Sequence, residues 1–85
     1  MTFVPSIIKE KVKSYIYLAA HVDKEKIKNE SLIFKEGYFD SMGFIMLITF
    51  IEEEFGIKTG DADLIEENFE SINAITDFID RKTKS

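Results

Sequence analysis

Apolar residues recur every three or four positions along three stretches of this chain, and no stretch alternates apolar and polar residues over the length of a strand. Such spacing places the apolar side chains on one face of a helix. It predicts helices over about Pro5–Ala20, Ser41–Phe55 and Ser71–Arg81. Because the longest apolar segments have helical spacing and none has the alternation of a strand, the sequence predicts an all-α fold.

The two remaining segments are a long connection and a short helix. Residues 22–40 form a connection of about nineteen residues, which is long for a compact domain. Its apolar residues predict an ordered loop that packs on the core; they are Val22, Ile27, Leu32, Ile33, Phe34 and Phe39. Residues 61–69 fit one short helix carrying Leu64 and Ile65. We therefore expect a single domain, residues 1–85, built as a small four-helix bundle with a long ordered loop between helices one and two.

The composition removes several classes of function. The 85 residues include no cysteine and one histidine, His21, which excludes a disulfide framework, a thiol nucleophile and a two-histidine metal site. A net charge of −5 argues against a nucleic-acid partner, which needs a basic surface. The longest uncharged apolar stretch, Ser41–Ile51, is too short to span a bilayer. We expect a cytoplasmic monomer with no catalytic residues and no metal.

The most informative segment leads into the second helix and reads Glu36-Gly37-Tyr38-Phe39-Asp40-Ser41-Met42-Gly43. Asp40 and Ser41 are both good N-cap residues, because a side-chain oxygen of either can accept a hydrogen bond from the first helical turn. The residues alone indicate only that one of the two caps the helix.

The side of the second helix opposite its predicted core face is unusually apolar. With about 100° between successive residues, that side carries Met42, Ile45, Met46, Thr49 and Glu53. A side that faces solvent should be mostly polar, and a contiguous apolar patch indicates a partner. Two explanations stay open: the three apolar residues dock a partner, or the long loop covers them.

The segment Asp40-Ser41-Met42, at the start of an amphipathic helix that ends in Glu52-Glu53-Glu54-Phe55-Gly56-Ile57, resembles the acyl and peptidyl carrier proteins. The resemblance extends over the long first loop, the short third helix and the sequence Glu67-Asn68-Phe69-Glu70-Ser71-Ile72. It implies that Ser41 carries 4'-phosphopantetheine through a phosphodiester. Asp40 and the five residues of the apolar side are then candidates for partner docking.

The same resemblance implies a carrier that is not an enzyme. A separate phosphopantetheinyl transferase would attach the group from coenzyme A with Mg²⁺. An acyl- or aminoacyl-loading ligase would supply the cargo, and a downstream acyltransferase or synthase would receive it. The free end of the arm would hold the cargo as a thioester.

Two positions depart from the fatty-acid synthase carriers, which usually have acidic residues two and five positions after the modified serine. Gly43 and Met46 occupy those positions here. The segment before them is closer to the D-alanyl carrier proteins, whose motif reads much like Glu-Gly-Leu-Leu-Asp-Ser-Met-Gly. We therefore expect a specialised carrier, with two alternatives: a fatty-acid synthase carrier, or a helical protein-interaction module without a prosthetic group.

Two phenylalanines of the second helix bear on the cargo. Acyl carriers shelter a fatty chain between their helices, and Phe44 and Phe50 are bulky enough to fill that space. A filled interior would suit a short or polar cargo. The other explanation is ordinary core packing, which is the stronger one for Phe44.

Overall fold

The computed structural model describes residues 4–23 and 25–84, and in these ranges the chain is helical without strands. The helices are α1 Pro5–Ala20, α2 Ser41–Phe55, α3 Glu66–Phe69 and α4 Ile72–Lys84, with a 3-10 helix at Asp61–Asp63 between α2 and α3. The predicted all-α bundle of three longer helices and one short helix is confirmed.

The first two helices begin and end where the periodicity predicts, and the last helix differs slightly. Helix α4 begins at Ile72 and continues to Lys84, three residues beyond the predicted end. Ser71 precedes it, and its Oγ accepts a hydrogen bond from the Ala74 N–H at 3.1 Å. The start of α4 is therefore capped by a side chain in the way that an N-cap serine favours.

The prediction of one short helix carrying Leu64 and Ile65 is wrong. Both residues lie between the 3-10 helix and α3, and both side chains are exposed. The backbone of Ile65 is extended, with φ −116° and ψ 150°. The carbonyl of Asp63 accepts a hydrogen bond from the side-chain amide of Asn68 at 2.8 Å. The extended backbone at Ile65 therefore separates a 3-10 turn from a short helix, and one continuous helix does not form.

The core contains the apolar faces of α1, α2 and α4 together with residues from the loop and α3. Its buried apolar members are Ile8, Val12, Ile16, Ile27, Ile33, Phe39, Leu47, Ile51, Phe55, Phe69, Ile72, Ile75, Phe78 and Ile79. Burial of this surface supplies most of the driving force for folding. Each of the three long helices therefore contributes one buried apolar face to the core.

Residues 25–40 of the long loop are held in place because their backbone is bonded to the residues at the start of α4. The Ile33 N–H donates to the Glu70 carbonyl at 2.9 Å, and the Asn73 N–H donates to the Asn29 carbonyl at 2.9 Å. Ile33 is fully buried. These bonds hold the loop on the core, and the loop in turn positions Asp40 at the start of α2.

A search of the described part of the chain finds no helix that combines the length and the hydropathy needed to cross a membrane.

Candidate functional site

Asp40 is the residue that caps α2. Its backbone is extended, and its Oδ1 accepts a hydrogen bond from the Gly43 N–H at 2.9 Å. Ser41 is the first residue of the helix, and its side chain is exposed. Of the two capping candidates, the structure therefore selects Asp40, and the Ser41 hydroxyl is left at the surface.

Two glycines shape the approach to this serine. Gly37 has φ +85°, a left-handed conformation that favours glycine, and it forms the turn before Tyr38. Gly43 lies against Phe39: a Cβ added at position 43 would lie 3.3 Å from the Phe39 Cβ. The buried Phe39 side chain can pack this closely on α2 because position 43 has no side chain.

A surface pocket of about 530 Å³ opens directly beside Ser41. Ser41 forms part of its wall, and the pocket lies between the start of α2, the end of the long loop and the start of α3. Its other lining residues are Phe34, Phe39, Asp40, Phe44, Ile45 and Glu66. A group attached to the serine would thus meet a mostly aromatic and aliphatic surface at once.

The apolar residues on the outer side of α2 are exposed. Met42 is 63% exposed, Ile45 58% and Met46 57%, so the explanation that the long loop covers them is wrong. The structure divides the three residues between two depressions. Ile45 lines the pocket beside Ser41, whereas Met42 and Met46 line a second groove on the other side of the helix.

This second groove, of about 670 Å³, runs between α2 and the C-terminal end of α1. Leu18 lies on its α1 side and is 77% exposed. The sequence reasoning missed Leu18, although placing α1 on the same helical wheel as α2 would have found it opposite the buried face of Ile8, Val12 and Ile16. The Tyr15 side chain also lines the groove, and burial raises the pKa of its phenol.

Thr49 and Glu53 continue the outer side of α2 toward its C-terminal end. Both are exposed, and the Thr49 hydroxyl donates to the Ile45 carbonyl at 3.1 Å. The neighbouring Glu52 instead accepts two hydrogen bonds from Thr59, at 2.6 Å from the hydroxyl and 2.9 Å from the N–H. These bonds hold the pKa of Glu52 below its ordinary value.

His21 is the C-cap of α1 and lines the groove, away from the pocket beside Ser41. Its backbone is left-handed, with φ 57°, and its N–H donates to the Leu18 carbonyl at 3.3 Å. Among residues 4–23 and 25–84, no three histidine or acidic side chains come close enough to hold a metal ion. The surroundings of Ser41 combine an apolar pocket wall with the carboxylate residues Asp40 and Glu66.

Comparison with known proteins places most of the chain beside one family. The sequence profile of a family described as "PP-binding: Phosphopantetheine attachment site" matches residues 10–79. The acyl carrier protein of Buchnera aphidicola subsp. Baizongia pistaciae is 36% identical over 72 residues, covering 85% of this chain and 90% of that protein.

Two further relatives show the same extent of similarity. The acyl carrier protein of Thermosynechococcus vestitus is 34% identical over 77 residues, covering 91% of this chain and 93% of that protein. The acyl carrier protein of Thermotoga maritima is 33% identical over 72 residues, covering 85% and 86%. The similarity thus extends over nearly the whole length of both partners in each comparison.

Proposed function

The chain belongs to the acyl carrier proteins, the family that bears covalently attached 4'-phosphopantetheine, and from this premise we propose that the Ser41 hydroxyl is the attachment point. One observation carries the proposal: Ser41 is the first residue of α2, yet Asp40 supplies the cap. The serine hydroxyl is therefore exposed and not required by the helix.

The residues around Ser41 suit the group that they would hold. The start of a helix carries free N–H groups and the positive end of the helix dipole, which favour a phosphodiester anion. The Ser41 oxygen would form the bond to phosphorus and give up its proton, while the adenosine 3',5'-bisphosphate part of coenzyme A leaves. The attached arm supplies a terminal thiol, which holds the cargo as a thioester.

Members of this family are carriers and not catalysts, and we propose that separate enzymes perform each step on this chain. A phosphopantetheinyl transferase attaches the arm, a ligase loads it, and an acyltransferase or synthase receives the cargo. A flexible arm raises the effective concentration of the cargo at a docked enzyme. The described residues near Ser41 need only expose the hydroxyl and dock the enzymes.

We propose that these enzymes dock on the outer side of α2. Asp40, Met42, Ile45, Met46, Thr49 and Glu53 form this surface. The exposure of Met42, Ile45 and Met46 supports it, since large apolar side chains grouped in the first turns of one helix and left exposed indicate an interaction site. The acidic side chains lie at its two ends, Asp40 beside the serine and Glu53 three turns later.

We further propose a specialised pathway with an acyl or aminoacyl cargo, in place of general fatty-acid synthesis. Support comes from Gly43 and Met46, which stand where fatty-acid synthase carriers usually place acidic residues. At position 43 the packing of Phe39 gives a physical reason, because a Cβ there would lie 3.3 Å from the Phe39 Cβ, which is a tight contact. Slow transfer of malonyl groups onto this carrier by a fatty-acid synthase malonyltransferase is expected, and transfer at the rate of a fatty-acid synthase carrier would contradict the specialised role.

Intact mass measurement tests the attachment. The apo-protein is incubated with coenzyme A, Mg²⁺ and a broad-specificity phosphopantetheinyl transferase. The expected result is a gain of one phosphopantetheine group in the wild type and no gain in Ser41→Ala. Ser6→Ala is the matched control, because Ser6 is also an exposed serine in the first turn of a long helix. Loading of Ser41→Ala, or no loading of the wild type, would overturn the assignment.

A further inference from the structure

We infer that Phe44 limits the size of the cargo: a cargo held on Ser41 lies in the surface pocket beside that serine, and the Phe44 ring keeps it out of the helix interior. The carrier therefore shelters only short acyl or aminoacyl groups, and a long chain stays outside the helix interior. This inference rests on the proposed attachment at Ser41, and it adds a residue that determines specificity.

The pocket is placed to receive such a cargo. Ser41 is part of its wall, so a chain that folds back from the arm reaches the pocket without crossing the surface. Phe34, Phe44 and Ile45 make the wall apolar. An apolar chain gains free energy by leaving water for such a surface.

The pocket ends where Phe44 begins a series of ring contacts. Phe44 meets the Phe34 ring with centroids 5.7 Å apart and planes at 69°, and the Phe69 ring at 5.5 Å and 78°. The Phe69 ring continues to Phe78 at 4.9 Å and 61°. These are edge-to-face contacts at the preferred spacing. They connect the pocket wall to the core without a break.

The core residues behind these ring contacts do not line the pocket. Leu47, Ile51 and Phe69 are all fully buried and none of them lines the pocket. A chain could reach them only if the Phe44 ring left its contacts with both Phe34 and Phe69. A long acyl chain on Ser41 would therefore remain on the outer surface instead of entering between the helices.

Phe50, the other phenylalanine that could fill the interior, faces a different neighbour. Its ring stacks on Tyr15 of α1, with centroids 4.2 Å apart and planes at 12°, and contacts Phe55 edge-to-face. It does not line the pocket beside Ser41. Replacement of Phe50 thus removes an equal ring from the same helix without opening the route from the pocket, which makes it a matched control.

The experiment follows methyl groups by NMR in protein carrying butyryl or dodecanoyl phosphopantetheine, transferred from the corresponding acyl-coenzyme A and verified by intact mass. In the wild type, both cargoes are expected to shift the Ile45 methyl resonances and leave those of Leu47, Ile51 and Ile75 unchanged. Phe44→Leu removes the ring but keeps an apolar side chain. With dodecanoyl cargo this variant is expected to show shifts at the three interior residues, whereas Phe50→Leu behaves as the wild type does.

The outcomes separate this inference from the proposed attachment. If the mass shows no loading, the attachment at Ser41 fails, and the size limit fails with it. If loading occurs but the interior methyl groups of the wild type shift with dodecanoyl cargo, the size limit is overturned while the attachment stands. Interior shifts that stay absent in folded Phe44→Leu would show that another feature closes the pocket, which also overturns the assignment to Phe44.

Discussion

The two ends of α2 use exposed surface in opposite ways. At the N-terminal end, Met42, Ile45 and Met46 expose apolar side chains beside Ser41 and no acidic residue lies within the first turn. At the C-terminal end the polar groups are carboxylates, and two of them are bonded within the protein: the half-buried Glu52 to Thr59, and the exposed Glu54 to Lys11 at 3.2 Å. These two carboxylates therefore help to fix the fold, whereas the exposed apolar side chains at the other end form the surface that we propose for docking.

The difference teaches that overall charge is a poor guide to the surface around Ser41. The chain carries a net charge of −5, and residues 36–85 alone carry twelve acidic side chains against four basic ones. Few of those charges lie next to the serine. A partner that approaches Ser41 meets a methionine- and isoleucine-rich surface first.

The largest expected effect tests whether the exposed apolar residues of α2 contribute to stability as its buried residues do. Leu47 is fully buried and its neighbour Met46 is 57% exposed. Leu47→Ala is expected to lower the free energy of unfolding by about 2–5 kcal/mol, since it leaves a cavity. Met46→Ala should stay within about 0.5 kcal/mol of the wild type. Urea denaturation of both variants measures this, and a large loss in Met46→Ala would mean that the patch supports the fold.

The next effect tests whether Asp40, and not Ser41, caps the N-terminal end of α2. Asp40 accepts the Gly43 N–H at 2.9 Å, so Asp40→Ala is expected to cost about 1 kcal/mol of stability. Ser41→Ala should cost less than about 0.5 kcal/mol, because its hydroxyl does not cap the helix. Equal losses in the two variants, measured by thermal and urea unfolding, would contradict the separation of cap and attachment residue.

These residues also show what the sequence could predict. The bounds of α1 and α2 follow from apolar periodicity, and a glycine stands directly after α2 at position 56 with φ +65°. The choice of Asp40 over Ser41 as cap does not follow, since both side chains have the oxygen that a cap requires. It depends on the extended backbone of Asp40, which the long loop sets.

The sequence predicts which residues of α2 lie near Ser41, but it does not predict how the folded chain arranges them at the surface. Periodicity alone places Met42, Ile45 and Met46 on one side of α2, yet the loop and α3 divide them between two depressions. Leu18 comes from another helix, and its place in the groove depends on how α1 packs on α2. Likewise, the sequence does not show that Phe44 lines the pocket and contacts Phe69, whereas Phe50 stacks on Tyr15.

A carboxylate introduced at the apolar N-terminal end of α2 tests the contrast between the two ends of this helix. The quantity measured is the salt dependence of a transferase KM. Met46→Glu places a carboxylate where the wild type has none, and one exposed charge pair with a partner contributes about 0.2–1 kcal/mol. The KM of a phosphopantetheinyl transferase for this variant should therefore respond more steeply to added salt than the KM for the wild type, because salt screens exposed charges.

Ser6→Glu is the control for this measurement, since it adds the same charge at the far end of α1. Ser6 lies about 18 Å along α1 from Leu18, at a rise of about 1.5 Å per residue, which exceeds the screening distance of about 8–10 Å at physiological salt. The salt response of Ser6→Glu should match the wild type. An equally steep response in the two charged variants would mean that overall charge, and not the docking end of α2, steers the transferase.

The smallest expected effect tests the bonded carboxylate at the other end of the helix. Hydrogen bonds from Thr59 hold the pKa of Glu52 below its ordinary value of 4.5. The unfolded chain therefore binds a proton at this residue more readily than the folded protein does. The contribution of Glu52 to stability is complete above pH 4.5 and disappears as the pH falls through the lower pKa of the folded state.

Glu52→Gln removes this titration, and Glu53→Gln removes an adjacent exposed carboxylate as the matched control. The urea midpoints of the wild type and Glu53→Gln should fall more steeply below pH 4.5 than the midpoint of Glu52→Gln. Asp63, whose pKa is also lowered, by bonds from the Gly60 N–H and Lys82, titrates in all three proteins and cancels in the comparison. If the three midpoints fall in parallel, Glu52 does not fix the end of α2, and its carboxylate is as available to partners as Glu53.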